Sequence, residues 1–288
     1  MTSLQTTDRA LPARPPRSPV FSWLGRVQPS LLLSWAVIAI VTAWAVAPGL
    51  FTGHNPVAGV PREKLRAPSA EHILGTDALG RDLFARIVHG AVNSLSGAFV
   101  AVAVGLLVGT AIGLVAGSTG RRTDAVLMRI VDVLLSVPSL LLSLAIIILL
   151  GFGTVNAAIA VGVTSIGRFA RLARSEVILV RRSDYVEAAF GSGGRFGAVL
   201  WRHILPNSVT TVIALAAVQF GTAILQISTL GFLGYGAPPP TPEWGLLIAE
   251  GRNYIATSWW LTTVPGLVVV VVVLAANRIG RSIGRRTI

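Results

Sequence analysis

The 288-residue chain contains no cysteine, a single lysine (Lys64), and charged residues at only 12% of its positions. Without cysteine there is no disulfide, no thiolate metal site and no cysteine nucleophile. No G-x-x-x-x-G-K-S/T run surrounds the one lysine, so the usual cradle for a nucleotide phosphate is missing and the chain is not expected to hydrolyse ATP itself. The four histidines (His54, His72, His89 and His203) lie far apart, with no H-E-x-x-H or similar spacing, so no metal site is expected from the sequence.

What the chain has instead is apolar surface. The hydrophobic set makes up 53% of residues and the mean hydropathy is +0.71. A soluble domain would hide such residues under a charged surface, whereas here they lie in runs of membrane length. Six runs are read as spans: Leu31 to Ala47, Leu95 to Ala116, Val131 to Leu150, Val155 to Ile166, Val209 to Leu233 and Leu261 to Ala276. The fourth is short alone and is expected to continue helically through Gly167 to Ala173. The first could be a secretory signal, since Ala45-Val46-Ala47 resembles a cleavage site. A long basic region before it, and Pro48 just after the cut, favour a span.

These runs divide the chain into a disordered basic tail (1–29), a first transmembrane helix (30–50), an outer loop with an amphipathic segment (51–93), a five-helix core (94–277) and a basic tail (278–288). With the amino terminus inside, eighteen of the 24 basic residues fall on cytoplasmic segments. The six outer ones (Arg62, Lys64, Arg66, Arg81, Arg86, Arg252) are matched by Glu63, Glu71, Asp77, Asp82, Glu243 and Glu250. The net charge of +12 therefore lies inside. This places both termini in the cytoplasm, and contact with anionic lipid accounts for the charge without nucleic acid.

In the second span a small residue recurs every fourth position, at Gly97, Ala101, Gly105, Gly109, Gly113 and Gly117, forming a groove for another helix. Asp132 is the one ionisable group inside a nominal span, one turn from Arg129, where pairing would satisfy it. An ion-coupled transporter needs more charge at membrane depth, and an intramembrane enzyme needs a base that the spans lack.

The longest inner loop, 176–206, reads as two short helices around a glycine turn. Asp184 is placed to cap the first, with Glu187 reaching back to the cap's amide. Gly191, Gly193 and Gly194 break it, and Arg195 to His203 forms the second before Pro206 turns the chain into the next span.

Glu187-Ala188-Ala189, Gly193 and Ile204-Leu205-Pro206 resemble the E-A-A loop of permease subunits in bacterial ABC importers. The phrases His72 to Asp77, Leu79 to Leu83, Arg129 to Pro138, Arg202 to Asn207, Pro240 to Gly245 and Ala249 to Arg252 are similar to the C-type permease of dipeptide and oligopeptide importers. The resemblance covers about Leu31 to Asn277. It implies an all-α membrane protein of six transmembrane helices with the type I ABC importer permease fold, and no chemistry of its own.

Its implied partners are a homologous second permease, two ATPase subunits or one fused ATPase, an extracytoplasmic substrate-binding protein, membrane lipid and a peptide cargo. ATP and Mg would sit on the partner subunits, in the cytoplasmic (inner) membrane system. Nickel chelates, glutathione or another small solute are rival cargoes. Asp184, Glu187, Ala188, Ala189, Gly193, Arg202, His203, Leu205 and Pro206 would form the ATPase-coupling loop. Ser136, Ser139, Ser143, Gln219 and Gln226 are candidates for lining the path, and Gly105, Gly109, Gly113 and Gly117 for helix packing.

Three positions depart from the family. Phe190-Gly191-Ser192 replaces an Ala- and Leu-rich stretch, Ile227 stands where many relatives carry an acid, and the tail from Arg278 is basic.

Overall fold

A computed structural model describes residues 28–284. Residues 1–27, most of the expected amino-terminal tail, and the last four lie outside the described residues. The described residues are helical with no strand, apart from an isolated bridge between Thr76 and Asp82. Part of the expected carboxy-terminal tail, up to Gly284, is helical.

The first span is α1 (Pro29–Val46), which begins with proline where a missing N–H costs nothing and ends before Pro48. Next comes α2 (Leu83–Ser118), 36 residues or roughly 54 Å long, well beyond a hydrocarbon core of about 30 Å. It starts at Leu83, well before the apolar run at Leu95, because the Asp82 carboxylate caps it by accepting from the Ala85 N–H at 2.7 Å. Before α2 the chain after α1 holds only 3-10 turns, at Pro48–Leu50 and Pro61–Glu63, and the last part of the expected outer loop, from Leu83 to residue 93, is already α2.

The expected third span is broken. Helices α3 (Arg121–Ser136) and α4 (Ser139–Leu150) meet at 95°. Pro138 lacks an N–H and forces Val137 to extended backbone, which stops α3. At 12 residues, α4 is about 18 Å long and cannot cross alone.

Helix α5 (Thr154–Arg181) runs past the expected Ala173. After it come α6 (Asp184–Gly191) and then α7 (Phe196–Val199), a π turn (Leu200–Ile204) and α8 (Leu205–Phe232), which together make one 37-residue helix. Pro206 therefore does not redirect the chain. The widened π turn just before it absorbs the missing N–H within a continuous helix. A short α9 (Trp244–Gly251) and α10 (Trp260–Gly284) complete the fold.

By length and composition four described helices can cross a membrane, at Pro29–Val46, Leu83–Ser118, Phe196–Phe232 and Trp260–Ile283; the bent α3–α4 pair would make five. The count of six is thus not met. Helix α5 is long enough at 28 residues, but Arg168, Arg171, Arg174 and Arg181 occupy its inner half.

Lipid gives helices no hydrophobic reason to associate, so packing needs close backbone approach. Helices α2 and α5 achieve it in parallel, in matching four-residue steps. A Cβ on Gly105 would lie 1.8 Å from Ser165 Oγ, one on Gly109 2.5 Å from Phe169 Cβ, one on Gly113 2.5 Å from the Ala170 carbonyl oxygen, and one on Gly117 2.8 Å from Val177 Cγ1. On the outer half, Gly97 faces Ile227 of α8, which is buried. Helix α10 closes the bundle against α8, and α1 packs outside it against α10 and α2.

Gly113→Ala should lower thermal stability in detergent by about 1–3 kcal/mol, because its methyl meets main-chain atoms that cannot move aside. Gly266→Ala in α10, where a Cβ meets nothing within 4 Å, should leave stability unchanged or slightly raised. The melting temperatures of the two variants check this.

Candidate functional site

The loop after α5 folds as a knob on its own small apolar core. Val177, Val186, Val199 and Ile204 are buried together, with Leu114 of α2, Val180, Ala189, Phe190 and Leu200 packed around them. Ser183, not Asp184, occupies the N-cap of α6, and no side chain caps it; the Ser183 hydroxyl donates instead to the Val180 carbonyl at 2.5 Å. Gly191 is still helical, and the turn is made at Gly193 in the left-handed region (φ +86°), with Gly194 pressed against the Ala189 carbonyl. Glu187 therefore makes no capping box. It is exposed, and no side-chain partner is found for it among the described residues.

Asp184, Ala188, Gly193 and Arg202 are likewise exposed, as is Pro206, while Ala189, His203 and Leu205 are half-buried. Three aromatic side chains join the exposed face: Tyr185 at 46%, Phe196 at 45% and Trp201 at 68% exposure. Tyr185 leans on His203, with ring centroids 6.4 Å apart. Sequence spacing had not singled these aromatics out, since apolar residues of the same loop, Phe190 among them, pack into its core and only the fold separates the two sets.

Ion pairs brace the end of the bundle that carries the knob. Arg174 of α5 holds Asp124 of α3 with two hydrogen bonds, one of them 2.6 Å. The Arg181 guanidinium donates to the carbonyl of Ser118 at the end of α2 at 2.9 Å, where the helix dipole favours a cation. Asp132 pairs with Arg171 of α5 at 2.8 Å rather than with Arg129. Both groups are over half exposed, so the pair contributes little.

At the end of the bundle opposite the knob the Gly75 to Asp82 phrase forms a knot of buried charge. Arg81 donates to Asp77 at 2.6 Å and to Glu250 at 3.1 Å, and Arg86 donates to Glu250 at 2.9 Å and to the Pro56 carbonyl at 3.3 Å. These groups line a cavity of about 220 Å³ shared with Tyr254 and Leu261. His72 Nδ1 lies 2.8 Å from Asp82; that bond, reinforced by Glu63 against the effect of burial, raises the imidazole pKa. Beneath the knot, Glu243 is fully buried at the start of α9 and accepts from the Gly245 and Leu246 N–H groups and from Ser94. Burial pushes its carboxyl above the usual range, partly offset by those three bonds. Gly231 and Gly236 leave the space it fills, and Trp244 donates to the Ile87 carbonyl at 3.0 Å.

The five polar residues considered for the path are not all brought together. Gln219 and Gln226 of α8 line one narrow cavity against α2 and α5, and the Gln226 amide donates to Ser139 at 3.1 Å. Ser143 is buried and Ser136 exposed, each bonded to its own helix.

Residues 109–288 match the family described as binding-protein-dependent transport system inner membrane component. The chain belongs to that family. It is 42% identical over 246 residues to the dipeptide transport system permease protein DppC of Alkalihalophilus pseudofirmus, covering 84% of this chain and 81% of that one. The probable D,D-dipeptide transport system permease protein DdpC of Escherichia coli is 37% identical over 91% of this chain and 88% of its own. The glutathione transport system permease protein GsiD of Pectobacterium atrosepticum is 39% identical over 74% and 71%. Among solved structures, the inward-facing MetNI methionine ABC transporter superposes with a TM-score of 0.59 at 18% identity, over 70% of this chain and 96% of that one. The fold is thus that of type I ABC importer permeases, and the chain is a non-catalytic, multi-pass permease subunit.

In this permease the outer knot ties segments far apart in sequence. Arg86→Ala should destabilise the folded chain by about 1.5–3 kcal/mol, because Glu250 loses one of its two guanidinium partners and keeps only Arg81. Thermal unfolding of the variant against wild type measures the loss.

Proposed function

We propose that the chain forms half of the translocation path of an ATP-driven peptide importer, pairing with a second, homologous permease. The observation that carries this is the knob: a separately cored two-helix projection with Glu187, Ala188, Gly193 and three aromatic rings exposed on its surface. A rigid projection of this kind suits a cleft in an ATPase subunit, transmitting nucleotide-driven closure to α5 and α8, which hold it at both ends. ATP and Mg belong to those partners, one fused chain or two. A separate binding protein delivers cargo from outside, and both termini lie in the cytoplasm, where the basic residues concentrate.

Short peptides are the favoured cargo, since the relatives named above include dipeptide and D,D-dipeptide permeases. Glutathione, itself a peptide-like solute, is the second reading, on the strength of the glutathione permease among the relatives. The path runs along α8 beside α4, where Gln219, Gln226 and Ser139 present amide and hydroxyl groups suited to peptide bonds. Ser136 and Ser143 belong to the same proposed lining.

Glu187→Lys and Gly193→Pro should abolish uptake while the subunit still inserts and co-purifies with its second permease. Proline cannot adopt the positive φ of residue 193. Uptake of labelled dipeptide by membrane vesicles, with the inserted subunit quantified in parallel, decides; normal uptake in both variants would overturn the coupling role. For the path, Gln219→Trp and Gln226→Trp should reduce uptake of longer peptides more than of dipeptides. Unchanged uptake at every length would remove these residues from the path.

A further inference from the structure

The fold brings to one place three potential metal donors that the sequence scatters. Glu63, Glu71 and His72 have ligand atoms all within 4.8 Å of one another on the outer loop, and His54 has a ring nitrogen within the same distance of His72 and Asp82. The rings of His54 and His72 lie 5.3 Å apart.

Two distances give this cluster a direction. His72 Nδ1 is 2.8 Å from Asp82, a good hydrogen bond, and Asp82 is held in turn by the Ala85 N–H at the start of α2. That bond puts a ring proton on Nδ1 and aims Nε2 the other way, where a metal ion would take the place of the Nε2 proton, the arrangement by which a carboxylate orients a metal-binding imidazole. On that side Nε2 lies 3.3 Å from Glu63 Oε2. This is long for a charge-assisted hydrogen bond, which runs about 2.7–2.9 Å. It matches the separation of two donors on one tetrahedral zinc ion, about 3.3–3.5 Å for bonds of about 2.0–2.2 Å.

The scaffold is set before any ion arrives. His72 is buried, its N–H bonded to Ser69 Oγ at 3.1 Å. Thr76 ties the Glu63 carbonyl and the Arg66 N–H to the same turn. Arg66 occupies the other Glu63 oxygen, Oε1, at 3.3 Å, leaving Oε2 for the cluster.

We propose that Glu63, Glu71 and His72 form a binding site for a divalent transition metal, zinc by its mixed nitrogen and oxygen donors. Asp82 acts as the positioning residue behind His72, and water supplies the fourth ligand. Calcium and magnesium, which take oxygen ligands, fit this set poorly. The ion would fasten the turn at Pro61–Glu63 to the start of α2, on the face of the permease away from the knob.

The test uses the full chain, purified in detergent with its accompanying subunits, stripped with a chelator and titrated with Zn²⁺ alone. Bound metal is read by equilibrium dialysis and elemental analysis, and the melting temperature is followed alongside. Wild type should take up one zinc more per permease chain than His72→Gln, with an upward shift in melting temperature. Glu71→Gln alters an exposed side chain with no hydrogen bond among the described residues, so it leaves folding intact and should weaken zinc binding ~10-fold or more. Equal zinc content and affinity in wild type and Glu71→Gln would overturn the site, as would zinc that binds without any change in melting temperature. Should His72→Gln fail to fold, Glu63→Gln with Glu71→Gln replaces it, and zinc retained by that double variant likewise refutes the proposal.

Discussion

The close approach of α2 and α5 is the contact on which the rest of the bundle depends. In lipid the tails are as apolar as leucine, so two helices stay together only when their backbones come close enough for dense van der Waals contact. The glycines at 105, 109, 113 and 117 permit this over three successive turns, with side-chain and main-chain atoms of α5 standing where a Cβ would be. Helix α8 then packs against both members of the pair, α10 against α8, and α1 on the outside.

Because α2 is so long, it joins two sites of different chemistry. Its first turn belongs to the outer charge knot through Asp82 and Arg86, and its last turns reach the inner side through Leu114 and the Ser118 carbonyl. The outer knot is dense in buried charge but also densely paired, which is the condition under which such groups persist away from water. The inner knob follows the opposite rule. Its few buried residues hold its shape, while Glu187 and three aromatic rings stay exposed. One end thus pairs most of its charges internally, and the other leaves polar and aromatic side chains at the surface.

Much of the helical content was legible because it rests on local signals. Apolar runs located α1, α2, α8 and α10, and the four-residue glycine period marked the face of α2 that meets α5. The two-helix shape of the inner loop followed from its glycines. Boundaries were less legible, for reasons that are also local but finer. Asp82 extends α2 outward by capping it, Val137-Pro138 splits one apolar run into two helices at 95°, and a π turn carries the chain through Pro206 unbroken. At the knob, Asp184 has the right composition for a cap, but Ser183 holds the position.

Pairing between distant residues was not legible at all. Arg86 and Glu250 are 164 positions apart, Asp132 chooses Arg171 over its near neighbour Arg129, and His54 meets His72 only because the outer loop doubles back. The sequence by itself determined that the chain enters a membrane, roughly where most of its apolar helices lie and which face of α2 is bare, since hydropathy and small-residue period are written within a few turns. Only the tertiary structure decided which charges neutralise one another and which side chains stay exposed, because burying a charge is tolerable only beside a partner that the fold alone brings near.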